Sequence, residues 1–418
     1  MFSSVLASNR AAITVALGAE FYRRRFIVSH TVIVYAGRTP VGKLSGAFSS
    51  LSASRLGAAL VKDALAKTMI DPAKVDEIIM GNVLTAGVGQ APARQAAIYG
   101  GLPKSVCATT INRVCGSGLK AVMMADQAIR LGDAKVIFAG GQENMTQAPH
   151  LLMNSRAGYK FGAVEAKDHM QWDGLWDPYG NVAMGNCGEL CAKEYKFSRE
   201  DQDKFALESY ARARNAWESG HFKNEVVAIE VPGRKGPVMV ERDEEPFAAE
   251  LTKLPELRPA FDKAGTITAG NASSINDGAA LVVVCSDEKA KELNLKPLVR
   301  IIAQASHAQD PSWFTTAPVE CIRKVLHKAK MSVSDIDLFE INEAFAVVPM
   351  AAMRDLEIPH DKVNIHGGAV AIGHPIGASG TRVLVTLIHA LRAAGKRRGL
   401  ATLCIGGGEA SAVIVEVV

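Results

Sequence analysis

Asp76-Glu77-Ile78-Ile79-Met80-Gly81-Asn82 decides the fold, because it returns later in the chain as Asp337-Leu338-Phe339-Glu340-Ile341-Asn342. Each copy is a short apolar, β-rich run closed by Asn, and each follows a helical segment. Two further echoes keep the same order at similar spacing. Cys115 opens a Gly-rich turn into a helix, as His374 does. Val136-Ile137-Phe138-Ala139-Gly140-Gly141 is answered by Ala401-Thr402-Leu403-Cys404-Ile405-Gly406-Gly407. Three echoes in order argue for a duplicated unit. Two similar halves related by a pseudo-twofold axis bring their corresponding loops together, which gathers Cys115, Asn342, His374 and Cys404 at one place.

Outward from these runs the chain alternates strand-like and helix-like stretches. Thr31–Tyr35 reads as a strand, and Ser52–Lys67 sets Leu56, Leu60 and Leu65 with Ala58, Ala59 and Ala64 in helical order. Val136–Ala139 reads as a strand ended by Gly140-Gly141. Such alternation predicts an α/β fold with buried sheets. Residues 142–250 are less regular, with Trp172, Trp176 and Pro178 around an amphipathic helix near Arg199–Ser219, and read as an inserted loop domain. The resulting division is 1–28 as a targeting segment, 29–141 and 269–295 as the first half, 142–268 as the loop domain, and 296–418 as the second half.

Of 418 residues, 48% are hydrophobic and 22% charged, which excludes a disordered chain. The formal charge of +4 is concentrated at the N-terminus, where Arg10, Arg23, Arg24 and Arg25 face Glu20 as the only acid. The remainder is close to neutral, so neither nucleic acid nor a membrane is expected as a partner. Residues 1–28 mix those arginines with Ser3, Ser4, Ser8 and apolar residues, the pattern of a mitochondrial transit peptide, and the expected location is the matrix. Seven scattered cysteines suit a reducing compartment. Cys187 and Cys191 stand four apart with no second Cys/His pair, so they read as packing and no metal site is expected.

Four blocks can carry chemistry. In Asn112-Arg113-Val114-Cys115-Gly116-Ser117-Gly118-Leu119-Lys120 the thiol stands at a strand-to-helix turn, where free N–H groups and the helix dipole favour a thiolate. In His366-Gly367-Gly368-Ala369-Val370-Ala371-Ile372-Gly373-His374-Pro375-Ile376-Gly377-Ala378-Ser379-Gly380, His374 is held in a glycine-rich loop at a helix start, which favours the neutral ring a general base needs. His366 reads as a satisfied loop histidine. Leu403-Cys404-Ile405-Gly406-Gly407-Gly408 puts a second thiol beside glycine amides able to hold an oxyanion. Asn342-Glu343-Ala344-Phe345 closes the duplicated strand, and Asn271 to Ala280 is a small-residue turn with room for a bulky ligand. Two thiols and an imidazole point to acyl transfer through a thioester, one thiol attacking a carbonyl and the other moving a proton at the adjacent carbon.

With these four blocks in this order, the sequence from about Val32 to the C-terminus resembles the thiolase family, and within it the acetyl-CoA acetyltransferases of mitochondrial type. The resemblance implies a duplicated, five-layered α/β/α/β/α fold with a loop domain over the site. It implies Cys115 as the acetylated nucleophile and His374 as its activator. His374 and Asn342 would hold one oxyanion through a water, and the N–H groups of Cys115 and Gly406 would hold the other. Cys404 would be the acid/base at the α-carbon. Coenzyme A is implied as a substrate, with no cofactor required, in a cleft lined by Tyr210, Leu251 and Ser273.

The match departs at two places. Many relatives have His where Ala183 stands, beside Met184, so contacts to the pantetheine or acyl thioester are expected to differ. The segment Asp310–Pro318 follows neither usual wording. Since a phenylalanine near here accompanies tolerance of 2-methyl-branched substrates in mitochondrial relatives, the resemblance implies such substrates as an option through Phe314. Some mitochondrial relatives bind potassium at positions matching Tyr210, Ala269 and Val370. Relatives assemble as dimers or tetramers, and Gly140–Asn154 resembles the loop that joins two dimers. The competing expectations are a ketoacyl-synthase-like condensing enzyme, which would lack the second catalytic Cys, and an inactive acyl-CoA-binding protein.

Overall fold

The computed structural model describes residues 30–418, so the expected targeting segment 1–28 lies outside the described residues. The first half runs β1 (Thr31–Arg38), α1 (Ala53–Thr68), β2 (Glu77–Gly81), α2 (Pro92–Tyr99), β3 (Cys107–Ile111), α3 (Ser117–Leu131), β4 (Val136–Asn144) and β5 (Asn276–Ser286). Residues 145–275 are inserted between the last two strands and carry α4 (Met184–Tyr195) and α5 (Arg199–Glu218). The second half runs β6 (Val299–Ala308), α6 (Ala317–Ala329), β7 (Leu338–Ile341), α7 (Val347–Leu356), α8 (Ala369–Ile372), α9 (Ser379–Ala393), β8 (Arg398–Ile405) and β9 (Glu409–Val417).

The halves share one topology, as the repeated runs predict. In the first, β2 lies parallel to both β3 and β4, β4 antiparallel to β5, and β5 antiparallel to β1. In the second, β7 lies parallel to β8, β8 antiparallel to β9, and β9 antiparallel to β6. A parallel bridge from Phe339 to Val363 stands where β3 pairs in the first half. The two edges β1 and β6 meet at Val32–Arg300 and Ile33–Val299, so both halves form one ten-stranded sheet, the tenth strand being the short Gly42–Lys43 on β5.

Side-chain alternation sorts the layers. Ile33, Ile79, Ile137 and Ala139 join the central core, while Val32, Ile78, Met80 and Phe138 join an outer one. Between the halves α3 and α9 pack on each other and on strands of both, α1 and α2 cover the first half, and α6 backed by α7 covers the second. The order is α/β/α/β/α. Because α9 lies in the middle layer, Leu384, Leu387, Ile388 and Leu391 are all fully buried, each contributing roughly 1.5–3 kcal/mol of transfer free energy. Among the described residues no helix is long and apolar enough to cross a membrane.

One expectation about β4 needs correcting. Gly140 and Gly141 do not end the strand, which continues to Asn144. Their lack of a side chain serves close approach instead. A Cβ on Gly140 would lie 2.1 Å from the Ala280 carbonyl oxygen of β5, and one on Gly141 would lie 2.0 Å from the Gly377 carbonyl oxygen. The second contact brings the loop that follows His374 against the first half.

Candidate active site

Cys115 is half-buried in the turn between β3 and α3. The turn is tied by short bonds: Asn112 Oδ1 accepts from the Val114 N–H at 2.9 Å, and Ser117 Oγ accepts from the Arg113 N–H at 2.8 Å. Val114 takes φ 44°, the left-handed region, which is uncommon for a β-branched residue and a cost accepted at functional turns. A Cβ on Gly116 would lie 2.3 Å from Ile405 Cδ1, so the turn meets the end of β8 only because that position is glycine. Burial pushes the Cys115 thiol up to about 11, opposed by the backbone N–H groups of Gly406 and of Cys115 itself, which favour the thiolate.

His374 is buried between α8 and α9. Its backbone N–H donates to Asn276 Oδ1 at 2.9 Å, and its Nδ1 lies 2.6 Å from Ser379 Oγ. Asn342 Nδ2 stands 3.5 Å from the same Nδ1. Nε2 and Asn342 Oδ1 are buried with no hydrogen-bond partner among the described residues. Desolvation first, then the Arg382 cation, holds the imidazole down at about 3, so it is neutral near pH 7.

Cys404 is fully buried in β8, its thiol pushed well above the ordinary value by burial first and then by the charge of Cys115. Two buried carboxylates brace the surrounding loops. Glu143, at the end of β4, accepts from Asn82 Nδ2 (2.7 Å) and from the N–H groups of Val83 (2.9 Å), Leu84 (3.1 Å) and Gly377 (3.0 Å). Glu343 accepts from Asn364, Ser209 and the Val370 N–H, joining the Asn342 loop to α5 and α8. Across the halves, Arg113 pairs with Glu409 at 3.0 and 3.1 Å, flanking Cys115 on one side and the glycines 406–408 on the other.

Cys115, His374 and Gly406 open onto one cleft of about 480 Å³, mostly apolar, whose walls include Met184, Ser273, Phe314 and Ala269. Phe261 and Phe345 complete an aromatic wall, meeting edge to face at 5.9 Å, with Phe314 6.3 Å from Phe345. Gly185 admits that wall, since a Cβ there would lie 2.2 Å from the Phe261 ring.

Asn342 and Cys404 lie behind the cleft rather than on its lining. Three expected contacts are not brought to it. Tyr210 is buried in a separate cluster with Phe222 and Val370, and Leu251 packs against that cluster, because the face of α5 that carries Tyr210 packs on α8 of the second half, with Val41 of the first beside them. Ala183 pairs backbone to backbone with Trp176 instead of lining the cleft. Phe261, Phe345, Asn276 and Ser379 were not singled out from the sequence. Phe345, Ser379 and Asn276 stand inside blocks the sequence marks, those of Asn342, of His374 and of the Asn271–Ala280 turn, whereas Phe261 carried no signal.

A thiol, a neutral imidazole and bared amides meeting between duplicated α/β halves define an acyl-transfer site. Comparison with known proteins agrees. The family described as Thiolase, N-terminal domain, matches residues 31–288, and that described as Thiolase, C-terminal domain, matches residues 295–417. The chain belongs to the thiolase family, enzymes of the acyltransferase class. The acetyl-CoA acetyltransferase of Allochromatium vinosum is 51% identical over 387 residues, 92% of this chain and 98% of that protein. A probable acetyl-CoA acyltransferase of Staphylococcus aureus is 49% identical over 393 residues, 93% and 99% of the two chains. Among solved structures, the Bacillus anthracis acetyl-CoA acetyltransferase superposes with a TM-score of 0.91 at 39% identity, covering 94% of this chain and 99% of that one. A thiolase from Ascaris suum in complex with coenzyme A gives 0.89 at 41% identity, covering 93% and 100%.

Proposed function

We propose that this protein is a thiolase that reversibly cleaves acetoacetyl-CoA through an acetyl-Cys115 intermediate. The observation that carries the proposal is the shared cleft of Cys115, His374 and Gly406, with the buried Cys404 close enough for its thiol to feel the charge of Cys115. In cleavage, neutral His374 takes the Cys115 proton as the sulfur attacks the C3 carbonyl. The N–H groups of Cys115 and Gly406 stabilise the resulting oxyanion. The C2–C3 bond then breaks, Cys404 protonates the departing enolate as acetyl-CoA, and the thiol of a second coenzyme A takes the acetyl group from Cys115. Condensation is the same path reversed, with Cys404 removing the α-proton. The oxyanion on the thioester side falls to His374 and a water held by Asn342.

The second thiol favours this reading over a ketoacyl-synthase-like one, and the complete set of groups favours it over an inactive binding protein. Phe314, in the cleft wall, makes 2-methylacetoacetyl-CoA the second substrate to try. The proposal includes a dimer or tetramer, residence in the mitochondrial matrix, and potassium near Tyr210, Ala269 and Val370, where the phenol and backbone carbonyls would be its oxygen donors. Thiolysis of acetoacetyl-CoA by wild type, Cys115→Ser and Cys404→Ser tests the core of it. Loss of turnover in both variants is expected, and full turnover in either removes that residue from its role.

A further inference from the structure

We propose that Ser379 is the positioning residue that fixes His374 in the tautomer protonated on Nδ1, leaving the Nε2 lone pair free for the cleft. The tautomer follows from counting protons. Ser379 opens α9 and is fully buried. Its hydroxyl has one proton, and Oγ lies 2.9 Å from the Pro375 carbonyl oxygen, which can only accept. That bond commits the proton. Toward His374 Nδ1, at 2.6 Å, the hydroxyl is left only to accept, so the proton on that contact belongs to the imidazole. Asn342 Nδ2, at 3.5 Å from Nδ1, is a donor at the limit of hydrogen bonding and does not compete with a 2.6 Å contact. Nε2, buried and without a protein partner among the described residues, is then the basic nitrogen.

The duplication supports the assignment independently. Ser117 opens α3 as Ser379 opens α9, and its hydroxyl likewise turns back into the preceding loop, donating to the Val114 carbonyl at 2.6 Å and accepting from the Arg113 N–H. One helix-opening serine braces the cysteine turn and the other braces the imidazole. The backbone of His374 is pinned separately by Asn276, whose Nδ2 donates to the Gly42 carbonyl at 3.0 Å, so removing the Ser379 hydroxyl frees the ring without freeing the loop.

The use of this tautomer in catalysis rests on the proposed thiolase reaction, but the tautomer itself does not, so two readouts are needed. In protein labelled with 15N-histidine, long-range proton–nitrogen correlations report which ring nitrogen is protonated, His374 being assigned by its absence in His374→Asn. Wild type is expected to show Nδ1–H at pH 7, and Ser379→Ala to shift toward Nε2–H, with Asn342 then donating to Nδ1. Thiolysis kcat is expected to fall on the order of 100-fold in Ser379→Ala, the lower range of what a positioned general base contributes, with KM changed by less than about threefold. Ser379→Thr, which keeps a hydroxyl, should restore the Nδ1–H tautomer and most of kcat. Should Ser379→Ala not fold, Ser379→Cys, whose thiol accepts only weakly, is read the same way. Nε2–H in wild type overturns the proposal, as does an alanine or cysteine variant with wild-type tautomer and kcat. Absence of thiolysis in wild type would instead count against the proposed reaction, leaving the resonance measurement to decide the tautomer alone.

Discussion

Replacing Gly141 with Ala should damage catalysis from within the sheet of the opposite half. The new Cβ would lie 2.0 Å from the Gly377 carbonyl oxygen and 2.9 Å from Ala378 Cα, both backbone atoms that cannot rotate aside. Restoring ordinary contact, at 3.4 Å or more, requires a displacement of about 1.4 Å or more between β4 and the loop that follows His374, at an overpacking cost of roughly 1–3 kcal/mol. Gly377 also donates to Glu143, so the same movement strains the carboxylate that ties this loop to Val83 and Leu84. A misplacement of about 1 Å in a catalytic group can lower a rate on the order of 100-fold. The expected result is a folded protein with a lowered urea midpoint, an unchanged denaturant slope, and thiolysis kcat reduced about 30- to 100-fold. A Gly141→Ala protein with wild-type kcat and midpoint would refute the claim that this contact sets the position of His374.

Three further outcomes follow from the site. Phe314→Ala removes a fully buried ring from the cleft wall, so stability should drop by about 3–5 kcal/mol, and the ratio of 2-methylacetoacetyl-CoA to acetoacetyl-CoA turnover should change; an unchanged ratio takes Phe314 out of substrate selection. With its thiol raised to about 11, Cys115 in the free enzyme should react with iodoacetamide at a rate still climbing above pH 9; a plateau near pH 7 would contradict a protonated resting thiol. His374 and His366 are held down at about 3 and about 4, below the usual 6.5, so the unfolded chain binds their protons first and stability is lost as pH falls from about 6.5, by up to about 1.4 kcal/mol per pH unit for each; replacing His366 with Asn should flatten part of that slope in urea titrations.

The fold was legible because three runs of the first half return, in order, in the second. β2 and β7 are each followed by Asn, and α3 and α9 follow the same kind of glycine turn, so two similar halves with their loops brought together could be read before any contact was known, while the five-layered order came only from the family resemblance. Cys115, His374 and Gly406 were legible for a related reason: reactive side chains set among glycines have little packing work to do. The cleft walls were not. Phe261 and Leu175 come from the insertion, whose short strands and turns have no hydrophobic period, and only the folded chain brings them to Phe345. Tyr210 and Leu251 were placed by family resemblance rather than by their own chemistry, and they fall in a neighbouring cluster. Ser379 and Asn276 lie in marked blocks but had no role assigned within them, since serine and asparagine cap helices and turns everywhere and their meaning depends on which neighbours their donors and acceptors meet. Gly140 and Gly141 misled in the opposite sense, resembling a strand end while allowing two backbones to touch.

Everything in the proposed reaction passes through one covalent species. Brief incubation with acetoacetyl-CoA without free coenzyme A, followed by acid quench and peptide mass spectrometry, measures it directly. An acetyl group on the peptide containing Cys115, removed when coenzyme A is added before the quench, is the expected result. An unmodified Cys115 in protein that still cleaves acetoacetyl-CoA, or acetylation confined to Cys404, would contradict it.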